Sequence, residues 1–326
     1  MDRLDAVGAA AWTTLHARSR FRSPFLSWTW QTEWARAFAQ GRRLEIWRLD
    51  DRDGLVAVLP LWEVGPGTLK VVGGADVSDY LDLLAVAGRE EEAWAGLLSM
   101  RGAAPAAWEL HAVPATSPTV LGMPSLAASH GLAVDVTVEE RCPVLDLPRS
   151  WEAYLESLDS KPRHELKRKM RRLEREAPDA RVTWAARRDE VETRIGDFLD
   201  LHRRSRAGKA RFMDARMESF FHRVAGALAE AGQARLWFLD SPGGPLATFF
   251  TLEWDDTIGL YNSGFRPDRA ALSPGVVLLG HLIHDAISRG KRRFDFLRGE
   301  ERYKYELGPH PEDVCRVRIT ARTPAP

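Results

Sequence analysis

The residues best suited to chemistry crowd into one stretch of this chain. It runs from Tyr261-Asn262-Ser263-Gly264-Phe265 through Ser273-Pro274-Gly275 to Phe294-Asp295-Phe296-Leu297-Arg298-Gly299 and Arg302-Tyr303-Lys304. Ser273 can cap a helix, Pro274 suits its first turn, and Gly275 lets a ligand approach the unpaired amides there. Ser273, Gly275, Val276 and Val277 could thus hold an anionic group. A buried helix that is simply well capped asks for the same residues. Gly275 and Gly280 also mimic the spacing of a nucleotide phosphate loop, but His281-Leu282 stands where that loop needs lysine and a hydroxyl. Asp295 alternates with Phe294 and Phe296, and an acid on such a strand is either paired, with Arg298 or Lys304, or catalytic. Just beyond Glu300 and Glu301, Tyr303 offers a phenolic proton and Lys304 a cation, both able to act on a developing charge. Tyr261, Asn262 and Arg298 would contact substrate at the same strand ends.

Two further groups stand apart. In Ser78-Asp79-Tyr80-Leu81-Asp82, strand alternation would put Ser78, Tyr80 and Asp82 on one face; Asp79 reads as a turn end and Asp82 as a substrate contact or base. From Lys161 to Arg175, Leu166, Met170, Leu173 and Ala177 form an apolar stripe opposite His164, Arg168, Arg171 and Arg175. That basic ridge is either a solvated helix face or a contact for the phosphates of a coenzyme, RNA or an anionic surface. His202, His222, His281 and His284 have no carboxylate or cysteine at ligand spacing, so packing or surface roles are expected and no metal site.

These residues need elements to hold them. Ser27 or Thr29 can cap a short helix through Phe38, with Trp28, Trp30 and Trp34 as core. Strands are predicted over Leu44–Asp50, Val56–Trp62, Leu69–Val72, Tyr80–Val86, Trp108–Val113 and Leu132–Val138, with a helix over Glu90–Leu98. After the prolines of Arg141–Ser150, helices are predicted at Trp151–Leu158, Lys161–Ala177, Glu190–Ser205 and Arg216–Ala231. The strands Arg235–Asp240, Leu246–Trp254 and Ile258–Ser263, the helix Val276–Ser288, and the strands Arg293–Leu297 and Val314–Thr320 complete the chain. At 326 residues the chain suits two domains, divided at 148/149. A shift of 190 (237 − 47) superposes Trp47 on Trp237, Leu49 on Leu239, Asp50 on Asp240, Gly54 on Gly244, Ala57 on Ala247 and Glu63 on Glu253. Unrelated hairpins share turn acids and glycines, but Trp, Leu, Ala and Glu in one register point to duplication.

Composition narrows the class. With 46 basic against 46 acidic residues, a globally basic nucleic-acid binder is disfavoured. The 2 cysteines, Cys142 and Cys315, build neither a disulfide framework nor a ligand cluster and read as buried fillers in a reducing compartment. The acidic N-terminus and the lack of a long apolar run point to a cytoplasmic protein with no membrane span.

The order of elements in the second half, the Ser-Pro-Gly helix, and Phe-Asp-Phe followed by Gly-Glu-Glu-Arg-Tyr-Lys resemble the GNAT acyltransferase superfamily. With Ser23-Pro24-Phe25, Trp30, Trp34, the Asp79–Leu83 segment and the basic Lys161–Arg172 segment, they look like its CelD-like branch, associated with cellulose or exopolysaccharide biosynthesis and related to Fem-type aminoacyl transferases. The resemblance implies an α/β (α+β) fold of two tandem GNAT-like domains, each a mixed, mostly antiparallel sheet flanked by helices. Residues 1–148 would form a degenerate domain and 149–326 the transferase domain. It implies transfer of an acyl group from a thioester, acyl-CoA as co-substrate, to an amine or hydroxyl of a small-molecule, saccharide or peptide acceptor. Gly275, Val276 and Val277 would take the donor phosphates, Lys304 or Tyr303 the oxyanion or leaving group, and Asp295, Glu300 or Asp82 the acceptor. Arg269-Ala270-Ala271-Leu272-Ser273-Pro274-Gly275 keeps one glycine of the superfamily's pyrophosphate loop and departs from the rest. The alternatives are an aminoacyl-tRNA donor meeting the basic ridge, and a non-catalytic binding component.

Overall fold

A computed structural model describes residues 4–74, 76–99 and 107–321; residues 1–3 of the acidic N-terminus lie outside it. The chain runs through α1 (Ala9–Arg18), α2 (Trp28–Phe38), β1 (Leu44–Asp51), β2 (Gly54–Gly65), β3 (Thr68–Val71), β4 (Leu84–Ala85), α3 (Glu90–Ser99), β5 (Ala107–Pro114), α4 (Pro118–Ser129) and β6 (Leu132–Asp146). It continues with α5 (Trp151–Ser157), α6 (Ser160–Glu176), β7 (Arg181–Ala185), α7 (Arg188–Ser205), α8 (Ala207–Phe212), α9 (Ala215–Glu230), β8 (Ala234–Asp240), β9 (Ala247–Trp254) and β10 (Thr257–Phe265). The last elements are α10 (Pro274–Ser288), β11 (Arg293–Asp295), α11 (Arg302–Tyr305) and β12 (His310–Ala321).

Two compact units form. The first holds the chain up to Arg141 and takes it back from Glu312; the second is Cys142–Pro311. A single division at 148/149 is expected from sequence, whereas the final strand completes the first unit's sheet. There β1, β2 and β3 pair antiparallel, β3 pairs β5 in parallel, and β12 closes β5 antiparallel from Val314↔Pro114 to Thr320↔Ala107. Ser27 caps α2 by accepting from the Trp30 amide at 3.2 Å. Trp30 and Trp34 are buried as expected while Trp28 is half-buried, and Phe25, Trp12, Trp94 and Trp108 are buried as well.

Of the predicted Tyr80–Val86 strand, Leu84–Ala85 pairs with β2 and Val86 forms an isolated bridge with Ser19. Asp82 accepts from the Leu83 amide and from the distant Ser117 and Thr119 hydroxyls, and the alternation assigned to residues 78–82 does not apply: Ser78, Leu81 and Asp82 are all buried.

The second unit orders its strands as the end of β6, then β11, β10, β9, β8 and β7. Alternation divides its two faces. Trp237, Leu239, Ala247, Phe249, Ile258 and Leu260 join α5, α6 and α10 in one apolar core, with Leu166 and Leu173 fully in it and Met170 and Ala177 at its margin. On the opposite face Phe250 meets Phe198 of α7 and Phe221 of α9, at ring-centroid distances of 5.8 and 5.9 Å. Gly280 allows α6 to approach α10, since an added Cβ would lie 3.2 Å from Leu166 Cδ1.

The internal echo extends to hydrogen-bond register. Pairs Leu44↔Trp62, Ile46↔Pro60, Trp47↔Leu59 and Leu49↔Ala57 recur as Ala234↔Leu252, Leu236↔Phe250, Trp237↔Phe249 and Leu239↔Ala247, each partner displaced by 190 (234 − 44). The next steps match as well: an antiparallel neighbour, a parallel crossover strand after a helix, and a closing antiparallel strand.

Candidate active site

Parallel pairing of β10 with β11 lasts only from Thr257↔Arg293 to Gly259↔Asp295. Beyond it β10 runs on to Phe265, with a bulge between Leu260 and Asn262, while the Phe296 amide turns to the Pro143 carbonyl at 2.9 Å. The two strands therefore part where β10 carries Ser263, Gly264 and Phe265. A cavity of ≈ 300 Å³ opens there, at the small end of the range for ligand pockets. Phe249, Phe265, Ala270 and Val276 give it apolar walls; Ser273, Pro274 and Gly275 bring the first turn of α10; Arg206, Lys209, Ser263, Glu301 and Tyr303 supply its polar groups.

The start of α10 differs in detail from the sequence reading. Ser273 is left-handed (φ 53) and its side chain makes no capping hydrogen bond. Val277 is buried and its amide donates to the Ser273 carbonyl at 3.1 Å, so it is already used by the helix. Pro274 has no N–H, which leaves the Gly275 and Val276 amides as the first-turn donors. A Cβ built on Gly275 would meet nothing within 4 Å. No packing contact requires glycine at this position, and it faces the cavity.

Other predicted residues scatter into separate roles. Tyr303 lines the cavity, and burial, then the Glu301 charge, push its phenol well above the usual range. Lys304 is buried, donating to the Arg298 and Gly299 carbonyls at 3.0 Å each and pairing with Glu301 Oε2 at 2.9 Å. Those three acceptors match the three N–H bonds of an ammonium, so Lys304 holds the β11–α11 turn and is not free to polarise a carbonyl. Asp295 is buried and Oδ1 accepts from the Leu297 amide at 2.7 Å, bracing a left-handed Leu297 (φ 54). Glu300 accepts from the Tyr305 hydroxyl at 3.1 Å. Tyr261 stacks on Phe221 at 5.7 Å, and Asn262 Oδ1 accepts from His202 Nε2 at 3.0 Å. Burial, then the Lys209 charge, push His202 down to about 4.

Asp82 belongs to the first unit. It accepts from Ser117 Oγ, from Thr119 Oγ1 at 2.6 Å and from the Leu83 amide at 2.7 Å, while Trp94 Nε1 donates to Thr119 Oγ1 at 2.9 Å. Burial outweighs these bonds and pushes its carboxyl up to about 6. It anchors the start of α4, an element the sequence pattern did not reveal.

Arg206, Lys209, Ser263 and Glu301 were not singled out from sequence. Ser263 lay inside the Tyr-Asn-Ser-Gly-Phe motif and Glu301 beside Glu300, whereas nothing in Arg206-Ala207-Gly208-Lys209 marks a site. Gly264 has a packing reason, since its Cβ would fall 2.5 Å from the His202 amide nitrogen. On α6 the basic ridge is exposed but partly neutralised: Arg168 pairs with Glu165 at 2.7 Å and Arg175 with Glu176 at 2.9 Å. Among the described residues no group of three His, Cys, Asp or Glu could hold a metal, and no helix is long and apolar enough to cross a membrane. Cys142 and Cys315 are buried and form no disulfide.

This cavity, at the parting of two strands and the start of a helix, lies in a segment with a family match. Residues 160–305 match the model described as an acetyltransferase (GNAT) domain. Over nearly its whole length the chain is similar in structure to FemX, at 10% identity and TM-score 0.67, covering 95% of each chain. It is also similar to a conserved protein of unknown function from Bacteroides thetaiotaomicron, at 13% identity and TM-score 0.66, covering 98% of this chain and 100% of that one. L-PGS from Bacillus licheniformis follows at 12% identity and TM-score 0.58, covering 97% and 91%. At such identities the likeness is one of fold. None of the curated proteins matches the chain.

Proposed function

We propose that the second unit transfers an acyl group from a phosphate-bearing thioester, acyl-CoA, to an amine or hydroxyl acceptor. The observation that carries this reading is Gly275: a glycine in the first turn of a 15-residue helix, lining the cavity, with open space where a side chain would be. Its amide and that of Val276, at the positive end of the helix and in a cavity shared with Arg206, suit a phosphate group. Tyr303, which lines the same cavity and is kept protonated by its surroundings, would give its proton to the departing thiolate. The CelD-like resemblance makes a sugar amine or hydroxyl the first acceptor to try.

The test is a thermal melt of the full chain with CoA, acetyl-CoA and longer acyl-CoAs, followed by transfer assays over amines and sugars. A ligand at about 100 times its Kd should add roughly 2.7 kcal/mol of stability. No shift with any of them sinks the donor reading and favours a binding component.

A second donor, aminoacyl-tRNA, is favoured by one observation, the exposed His164, Arg168, Arg171 and Arg175 face of α6. Binding to tRNA that weakens steeply with salt would support it, and salt-insensitive or absent binding would remove it.

A further inference from the structure

Lys209, Ser263 and Glu301 also line the cavity. We propose that Lys209 is the proton acceptor for the attacking amine or hydroxyl, a role that rests on the acyl-transfer reading of the same cavity. Lys209 reaches from α8 to the far end of β10, where Nζ donates to the Ser263 carbonyl and, at 3.0 Å, to Ser263 Oγ. These two contacts fix the nitrogen and leave its remaining tetrahedral direction to the cavity that Gly275 and Tyr303 also line. As a neutral amine it keeps both N–H bonds on Ser263 and presents a lone pair; as an ammonium it presents a third N–H. Lys304 has no such choice, since three acceptors surround it.

The groups facing Lys209 are Arg206 just before α8, His202 on α7, Glu301 just before α11, and Tyr303 and Lys304 on α11. His202 is neutral at physiological pH, because its imidazole titrates near 4. Burial, then Arg206, push Lys209 down, against Glu301, to about 8. A base in that range accepts a proton near neutral pH and also releases it.

In the step, the acceptor's lone pair forms a bond to the thioester carbonyl carbon and its proton passes to Lys209 Nζ. The C–S bond then breaks with its electron pair on sulfur, and the thiolate takes the Tyr303 proton. Lys209 returns its proton to the phenolate through solvent, so both side chains end as they began. The net change is acyl thioester plus acceptor to acylated acceptor plus thiol.

The test uses the full-length protein, with Lys209→Met and Lys209→Arg. Labelling of Lys209 by acetic anhydride, followed by peptide mass spectrometry across pH, is expected to show a midpoint near 8. A midpoint among the ordinary lysines overturns the proposal, whether or not an acceptor is known. Turnover of acetyl-CoA with amines is expected to rise with pH through about 8 as Lys209 gives up its proton, and Lys209→Met should lower turnover by about 10²–10⁴. Lys209→Arg, a cation that is no base, should not restore it. The CoA-induced thermal shift should survive in Lys209→Met. A shift retained with wild-type turnover in Lys209→Met removes the Lys209 proposal alone; no shift and no turnover in the wild type removes the donor reading and Lys209 with it.

Discussion

Gly275 and Gly264 stand eleven positions apart (275 − 264) and answer to different demands. Gly275→Ala adds a methyl to open space, so the melting temperature should hold or rise slightly, with helix propensity favouring alanine by up to ~1 kcal/mol. The stabilisation by CoA should fall, and melts with and without CoA measure both. Gly264→Ala drives a methyl into the backbone of α7, 2.5 Å from the His202 nitrogen and 2.6 Å from the Leu201 carbonyl carbon, and should cost at least ~3 kcal/mol in denaturant unfolding.

Asp82 and His202 give the two units opposite pH responses. The carboxyl of Asp82 titrates higher in the folded chain, about 6 against 3.8, so its contribution is present at acid pH and is lost as pH rises to 6. The imidazole of His202 titrates lower, about 4 against 6.5, so its contribution is present above 6.5 and is lost as pH falls through 4. Each is worth about 3 kcal/mol at ~1.4 kcal/mol per pH unit. Amide protection factors, corrected for the fall of the intrinsic exchange rate with pH, should therefore rise around Asp82 and drop around His202 as pH falls from 6.5 to 4. Asp82→Asn should flatten the first trend. Little of this was legible in sequence, because the partners of Asp82 lie 35 and 37 residues away and those of Lys304 are backbone carbonyls. The open flank of Gly275 was legible, since Ser-Pro-Gly before an apolar run has a local meaning. Lys209 was not: its partner is the far end of another strand.

At the scale of elements, hairpins and helices with strong periodicity were readable and irregular pieces were not. The hairpin echo read from six side chains proved to be a shared hydrogen-bond register. The Tyr80–Val86 segment is irregular up to Leu83, whose amide is taken by the buried Asp82 carboxylate and not by a neighbouring strand. Short α8, which carries Lys209, has too few residues to show a period. The contact of α10 with α6 makes its own prediction. Gly280→Val would push into Leu166 Cδ1, 3.2 Å from an added Cβ, and separate α10 from α6 at a cost of about 1–3 kcal/mol. Loss of amide protection confined to α6 and α10 is the expected signature.

For the whole molecule, the units are not consecutive halves. Strand β12 supplies the closing partner of β5, and no periodicity within the last residues says which sheet they will join. Removing the chain from Glu312 onward should therefore unfold the first unit, exposing β5, while Cys142–Pro311 keeps its protected amides. Limited proteolysis of the shortened chain checks this, and cleavage confined to the second unit would contradict it.

The late arrival of β12 also bears on how the protein is made. Strand β5 leaves the ribosome long before Ile319, its partner to Trp108, has been synthesised. At about 5–20 residues per second the intervening chain takes on the order of 10–40 s, a period in which an unpaired β5 edge is open to other nascent chains. A chaperone that shields this edge during translation should raise the yield of native protein more than one added after release.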